Sequence, residues 1–307
     1  MPTNWRLASR HNALWQRAAI FQAVRRFFVE RDYLEVDTPQ RIPAPAPESY
    51  IDAIPADGWF LHTSPELCMK RLLAAGYPRL FQVCHCWREG ERGRLHLPEF
   101  TMLEWYRAGT DYRGLMDDCE ALVQSVAQAI SHGQRLACRG LQIDLASPWP
   151  RTSVDEAFLR HTGMSAATAL QRGLFDELMV QEVEPHLGVD KPGFLYDYPA
   201  ERGALARRRA DDPSLAERFE LYIGGLELAN GFSELIDPQE QRARFVQEEA
   251  YRRSAGRRPY PLPERFLAEL GDMPPSAGIA FGLDRLVMLF AGADSIDDVV
   301  PFTPEEL

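Results

Sequence analysis

No stretch of this chain stays apolar for the ~20 residues that a membrane-spanning helix needs. The opening residues, Met1-Pro2-Thr3-Asn4-Trp5-Arg6, carry no apolar core of a secretory signal. Both absences lead us to expect a cytoplasmic protein with no membrane partner. Cysteine is scarce: Cys68, Cys84, Cys86, Cys119 and Cys138 are odd in number and lack the spacing of a disulfide framework. Cys84-His85-Cys86 has ligand chemistry, but no second Cys/His pair sits at zinc-site spacing, so buried free thiols are expected. Positive charge is also short. Lys and Arg total 34 against 45 Asp and Glu, giving 34 − 45 = −11. Affinity for a phosphate backbone comes largely from Lys/Arg contacts, so this balance weighs against a protein whose main work is gripping nucleic acid. Internal repeats and low-complexity tails are absent too.

What is present is an ordinary globular composition, 45% apolar and 26% charged over 307 residues. From Ser9 to Arg31, Leu14, Ala18, Phe21, Val24 and Phe28 recur at helical spacing. Tyr33 to Thr38 alternates as a short strand stopped by Pro39. The run Pro43-Ala44-Pro45-Ala46-Pro47 is an extended connector. Trp59 to Thr63 is a strand, and Ser64-Pro65-Glu66 starts a helix, with Ser64 as cap and Pro65 at the first helical position. Leu80–Arg88 and Glu99–Tyr106 flank a charged, glycine-bearing loop as antiparallel strands do. Tyr112–Ser131 is an amphipathic helix. Residues 150–211 read as helices and loops packed to one side. Two strands, 219–223 and 226–235, join through Gly224-Gly225, a helix covers 239–254, and a last strand, 278–281, runs into a helix at 284–290. Strands separated by hairpins and long insertions favour a mostly antiparallel α+β fold over a doubly wound sheet.

Two arginine segments carry the chemistry. Arg88 precedes the charged loop Glu89-Gly90-Glu91-Arg92-Gly93-Arg94 and the return strand His96-Leu97-Pro98-Glu99-Phe100-Thr101. Far downstream, Gly278-Ile279-Ala280-Phe281-Gly282-Leu283-Asp284-Arg285 places a second arginine after a glycine-rich strand. Attack of a carboxylate on the α-phosphate of ATP builds negative charge on phosphate oxygens, which arginine forks stabilise. Glu227 and Glu234 lie seven residues apart. An even strand would aim them at opposite faces, so a bulge at Asn230-Gly231 is needed to bring both to one site for Mg²⁺ or an amino group.

These segments resemble motifs 2 and 3 of the class II aminoacyl-tRNA synthetases, in the wording of the lysyl-tRNA synthetase branch. The resemblance covers nearly the whole chain and implies that family's antiparallel sheet flanked by helices. It implies ATP and Mg²⁺ as cofactors, with Arg88 on the α-phosphate and Arg285 on the γ-phosphate. Arg94 and His96 match positions that contact the bent triphosphate, and Phe100 matches the ring stacked under adenine. Glu89, Gly90, Glu91, Leu97, Glu227, Leu228 and Gly282 complete the expected ATP site. Ser64, Pro65, Glu66, Tyr106, Glu227, Glu234 and Ala280 form the expected amino-acid site, and Glu227 with Glu234 the expected metal site. Tyr33 to Pro39 matches motif 1, which implies a homodimer.

The wording resembles most the short paralogues that ligate (R)-β-lysine to a lysine of elongation factor P, and residues 1–307 are expected to form one catalytic domain without an anticodon-binding domain before it. Elongation factor P and (R)-β-lysine are then the expected partners, and tRNA is not. Three positions depart from lysyl-tRNA synthetases: Glu89 and Leu97 replace asparagines, and Ala280 replaces a glycine, narrowing the amino-acid pocket. A steric change of that size separates related substrates by about 1–3 kcal/mol. The alternatives are a truncated synthetase that acylates tRNA and a non-catalytic regulator derived from a synthetase.

Overall fold

The computed structural model describes residues 5–203 and 205–307. Met1–Asn4, which opened the segment read as lacking a signal core, lie outside the described residues. The strands are β1 (Leu34–Glu35), β2 (Arg41–Ile42), β3 (Pro55–Ala56), β4 (Trp59–Leu61), β5 (Arg79–Trp87), β6 (Glu99–Ala108), β7 (Arg135–Cys138), β8 (Leu141–Asp144), β9 (Arg151–Ser153), β10 (Gly193–Pro199), β11 (Leu215–Ile223), β12 (Leu226–Ser233) and β13 (Ser276–Gly282). Eight of them form one sheet in the order β1-β5-β6-β13-β12-β11-β10-β9. Its inner pairs are antiparallel, and the outermost pairs, β1 with β5 and β9 with β10, are parallel. This is the expected α+β architecture.

Side-chain alternation divides the sheet into two faces. Leu103, Trp105, Ile279 and Phe281 join the main core with residues of the helices His11–Val29, Tyr112–Ala129 and Leu283–Ala291. Met102, Glu104, Tyr106, Ala280 and Gly282 fall in the opposite phase and line a cleft. Beside the cleft a second core joins helix Glu66–Ala74 to helices Pro238–Ser254 and Glu264–Glu269. The β11–β12 hairpin turns at Gly224 and Gly225, whose φ of +61° and +71° suit a two-residue turn that needs both residues left-handed. Among the described residues, no helix is long and apolar enough to cross a membrane.

Three local expectations change. The strand expected over Tyr33–Thr38 pairs only at Leu34–Glu35, followed by Val36 N–H donating to the Phe81 carbonyl at 2.9 Å. The segment 150–211 contributes two strands, β9 and β10, as well as helices. On β10, Phe194 packs into the main core and Leu195 into a cluster on the other face. A strand buried on both faces shows no polar alternation, which hides it from periodicity. Pro65, not Ser64, occupies the cap position of helix Glu66–Ala74, while the Ser64 hydroxyl accepts the Glu66 N–H at 3.1 Å. A shift of one residue at a helix end leaves the capping chemistry intact.

Candidate active site

The cleft holds a cavity of about 330 Å³, walled by β6, β12 and β13 and by the loop after β5. One end is cationic. Arg88 lies 5.0 Å above the Phe100 ring centroid and 3.7 Å from Glu91. Arg285, in the first turn of helix Leu283–Ala291, donates to the Glu227 carbonyl at 2.6 Å and to His96 Nε2 at 2.6 Å. Arginine has no acceptor, so His96 Nε2 carries the lone pair and the ring is neutral. Burial and then the Arg285 charge hold the His96 pKa below its ordinary value. The neighbouring Asp284 fixes this end: it accepts the Thr101 N–H at 2.7 Å and pairs with Arg17 at 2.5 Å.

The other end is acidic and buried. Tyr106 hydroxyl donates to Glu104 at 2.8 Å, and both side chains are buried. Burial, then the Glu66 carboxylate, push Glu104 well above the usual range. Burial and the carboxylates of Glu104, Glu66 and Glu234 do the same to the Tyr106 phenol. Lys70 reaches in from helix Glu66–Ala74, pairs with Glu66, and stands 2.6 Å from Glu234. Burial opposes the Lys70 charge, but its two carboxylates outweigh that and hold its pKa above the ordinary value. Burial pushes Glu234 up to about 8, with Lys70 pulling it down and Glu66 pushing it up. A Cβ on Gly278 would collide with the Tyr106 ring and with Glu234, so glycine is required there.

Most of the expected residues meet in this cavity. Ser64, Glu66, Arg88, Glu91, His96, Leu97, Phe100, Tyr106, Glu227, Leu228, Ala280, Gly282 and Arg285 line it. Pro65 supports the wall from the helix cap and does not line it. Glu89 and Gly90 are exposed, and Gly90 turns the chain at φ +79°, which leaves Glu91 as the loop acid on the cavity. Arg94 is exposed and outside the lining. Leu97 packs its apolar side chain into the main core, at the position where the asparagine was read as replaced.

The metal expectation needs correction. A bulge does put Glu227 and Glu234 on one face, but it falls at Leu228, where Leu221 pairs with Ala229 and Tyr222 with Glu227. About six strand steps remain between the two acids, roughly 20 Å of extended chain. One ion cannot bridge them. The carboxylate that bears most on Glu227 is Glu220, from β11. Burial and then Glu220 raise the Glu227 pKa to about 7, although 43% of its side chain faces the cleft. Two crowded carboxylates of which one opens to the cleft fit Mg²⁺, which takes oxygen ligands and keeps several waters. Glu234 belongs instead to the acidic end.

Sequence reasoning missed Glu220, Glu104, Lys70 and Glu48. Lys70 was readable as the i+4 partner of Glu66. Glu104, an acid inside Met102-Leu103-Glu104-Trp105, was a polar residue in an apolar strand. Glu48 lines the cavity from the proline-rich connector, where burial raises it to about 7 against the pull of Arg88, and nothing in its local wording singles it out.

Comparison with known proteins agrees with this geometry. The family model described as tRNA synthetases class II (D, K and N) matches residues 3–306. An elongation factor P–(R)-β-lysine ligase of Vibrio parahaemolyticus is 40% identical over 319 aligned positions, covering 98% of each chain. Proteins of the same description from Pectobacterium atrosepticum and Salmonella paratyphi B are each 41% identical, covering 99% and 97% of this chain and 98% and 97% of their own lengths. The chain therefore belongs to the class II tRNA synthetase family, in the branch of the elongation factor P–(R)-β-lysine ligases.

Proposed function

We propose that the protein activates (R)-β-lysine with ATP and passes the acyl group to a lysine side chain of elongation factor P. One observation carries this reading: a single cavity with two arginines at one end and a buried cluster of acids and a phenol at the other. A lysine-like substrate needs that polarity. Its carboxylate must meet the α-phosphate while its ammonium groups are held by acids. The relatives' names supply the isomer and the acceptor.

In the first step a carboxylate oxygen attacks the α-phosphorus, and the bond to the bridging oxygen breaks to release pyrophosphate. Arg88 and Arg285 take up the charge that grows on the phosphate oxygens. Glu91, Phe100, Leu228 and Gly282 shape the nucleotide end. Glu220 and Glu227 would hold Mg²⁺, which would supply positive charge to offset that of the phosphates. Glu66 and Tyr106 meet the ammonium groups, with Glu234 buried behind them on Lys70; Ser64 orients the substrate, and Ala280 narrows the pocket. In the second step the acceptor's neutral amine attacks the acyl carbon, AMP leaves with the electrons of the anhydride bond, and a proton passes to solvent. No covalent enzyme intermediate is required.

We read residues 1–307 as one catalytic unit that acts in the cytoplasm as a homodimer, the last on the motif 1 resemblance of Tyr33–Pro39. Analytical ultracentrifugation checks the dimer. The function is tested by mass spectrometry of elongation factor P after incubation with enzyme, ATP, Mg²⁺ and each lysine isomer. One added lysyl mass, greatest with (R)-β-lysine, is expected. An unmodified acceptor beside active ATP–pyrophosphate exchange would overturn the acceptor assignment.

A further inference from the structure

Three ligand-type side chains that the reaction does not use meet beside the cavity, where Cys84 and Cys86 pair across the β5–β6 hairpin with Met102 and Phe100. Cys84 and Cys86 are two apart on β5, so both sulfurs project from one face. Their Sγ atoms lie 3.9 Å apart. His62 follows β4, in a different sheet, and is tied to the end of β5 by Trp87 N–H donating to the His62 carbonyl at 3.0 Å. All three residues are buried, and their ligand atoms lie within 4.8 Å of one another. Sequence spacing hid this cluster because its third member comes from another strand's end.

The imidazole is already oriented for ligation. His62 Nε2 stands 2.7 Å from the His85 carbonyl oxygen. A carbonyl only accepts, so Nε2 carries the proton and Nδ1 keeps its lone pair. A ring N–H given to a backbone carbonyl is how ligating histidines are commonly held. The sulfur spacing points the same way. Tetrahedral Zn²⁺ with bonds of about 2.3 Å sets its two sulfurs roughly 3.8 Å apart. A disulfide would need them to close to about 2.05 Å.

We propose that His62, Cys84 and Cys86 form a binding site for a thiophilic cation of the Zn²⁺ class, with three protein ligands and one position left for water. Binding forms two metal–sulfur bonds and one metal–nitrogen bond and releases the two thiol protons to solvent. The site adjoins the substrate cavity without opening into its chemistry. Phe100 and Ala280 pack against Cys84, Cys86 and Met102, and Phe100, Met102 and Ala280 line the cavity. An ion bound here braces the wall that faces the acyl group.

The test is titration of the untagged, metal-stripped full chain with Co²⁺, followed by absorbance. One Co²⁺ per chain is expected, with a sulfur-to-cobalt charge-transfer band and the visible bands of a tetrahedral site. Cys84→Ser and Cys86→Ser should each weaken binding at least tenfold and diminish the charge-transfer band. Cys68→Ser, on helix Glu66–Ala74, should leave both unchanged. Should a serine variant fail to fold, the wild-type protein still decides: one equivalent of Cd²⁺ should give a thiolate–cadmium charge-transfer band that saturates at one ion per chain. Absence of that band in the wild type, or equal binding by folded Cys84→Ser and Cys86→Ser variants, would overturn the site.

Discussion

Lys70 Nζ stands 2.6 Å from Glu234 Oε2, and neither side chain reaches solvent, at 1% and 0% exposure. The same ammonium pairs with Glu66. One buried cation thus serves two carboxylates, with Glu104 and Tyr106 close by. Burial pushes Glu104 and Glu234 above the usual carboxylate range, so this end gathers acceptor oxygens around one lysine without a matching surplus of negative charge. The protein's own lysine holds Glu66 and Glu234 in place.

Removing that lysine should be costly. Breaking a buried ion pair by deleting one partner costs about 3–5 kcal/mol, because the other charge is left uncompensated. Lys70→Met should therefore lower the urea midpoint strongly, and Lys70→Met combined with Glu234→Gln should recover part of the loss. Stability of the single variant within about 1 kcal/mol of the parent would mean that Lys70 does not hold this end together.

Arg285 is placed by four contacts: the Glu227 carbonyl, the Leu95 carbonyl, His96 Nε2, and Glu227 Oε2 at 3.8 Å. Loss of one preorganised charge stabiliser costs about 10²–10³-fold in rate. Arg285→Ala should slow lysine-dependent ATP–pyrophosphate exchange by at least ~10²-fold with an unchanged melting temperature. Full exchange activity in this variant would remove Arg285 from the phosphate site.

Much of this was legible in the sequence where local chemistry and tertiary role coincide. The β5–β6 hairpin, the Gly224-Gly225 turn and the β13 strand running into its helix follow from alternation and glycine placement alone. The resemblance supplied Arg88, Arg285, Glu66 and Tyr106 because those residues sit inside contiguous motifs. What stayed hidden depends on register or on distant partners. The bulge was needed by the seven-residue spacing of Glu227 and Glu234, but alternation cannot say which residue is doubled. With the bulge at Leu228, Glu227 faces Glu220 on the next strand and leaves Glu234 to Lys70. Glu48 reaches the cavity only because the proline-rich connector folds across it. His62 meets Cys84 and Cys86 across two sheets.

Magnesium should be needed at higher concentration as pH falls. Burial and Glu220 raise Glu227 to about 7. Below that pH the carboxyl is increasingly neutral, and a protonated acid does not ligate a cation. The half-saturating Mg²⁺ in pyrophosphate exchange should rise by up to about tenfold per unit below pH 7. Glu220→Gln removes the like charge, so the rise should begin at lower pH even as maximal affinity weakens. A Mg²⁺ requirement flat from pH 6 to 8 would exclude Glu227 as a ligand.

The pocket wall offers a specificity test. Ala280 lines the cavity and packs against the Cys84, Cys86 and Met102 cluster. Ala280→Gly removes one methyl group and widens the amino-acid end. A change of about 1–3 kcal/mol corresponds to tenfold or more in substrate ratio. Use of α-lysine relative to (R)-β-lysine should rise by about that factor in competition assays. An unchanged ratio would mean that this methyl group does not reach the substrate.

The acceptor should be a basic surface on a folded protein and not a tRNA. The chain carries a net charge of −11. Many of its arginines are already held by acids: Arg92 by Asp297 and Glu305, Arg202 by Asp176, Arg242 by Glu264. Phosphate-backbone binding draws on free positive charge. An acidic enzyme and a basic partner instead attract one another over roughly a Debye length, about 10 Å at 0.1 M salt, and this speeds encounter more than it deepens affinity. Acyl transfer to elongation factor P at subsaturating acceptor should therefore slow as salt rises from 0.05 to 0.5 M, while pyrophosphate exchange, which needs no macromolecular partner, changes little. Under the same conditions tRNA-Lys should gain little or no lysine. Efficient charging of tRNA-Lys with no mass added to elongation factor P would transfer the assignment to a synthetase that acylates tRNA.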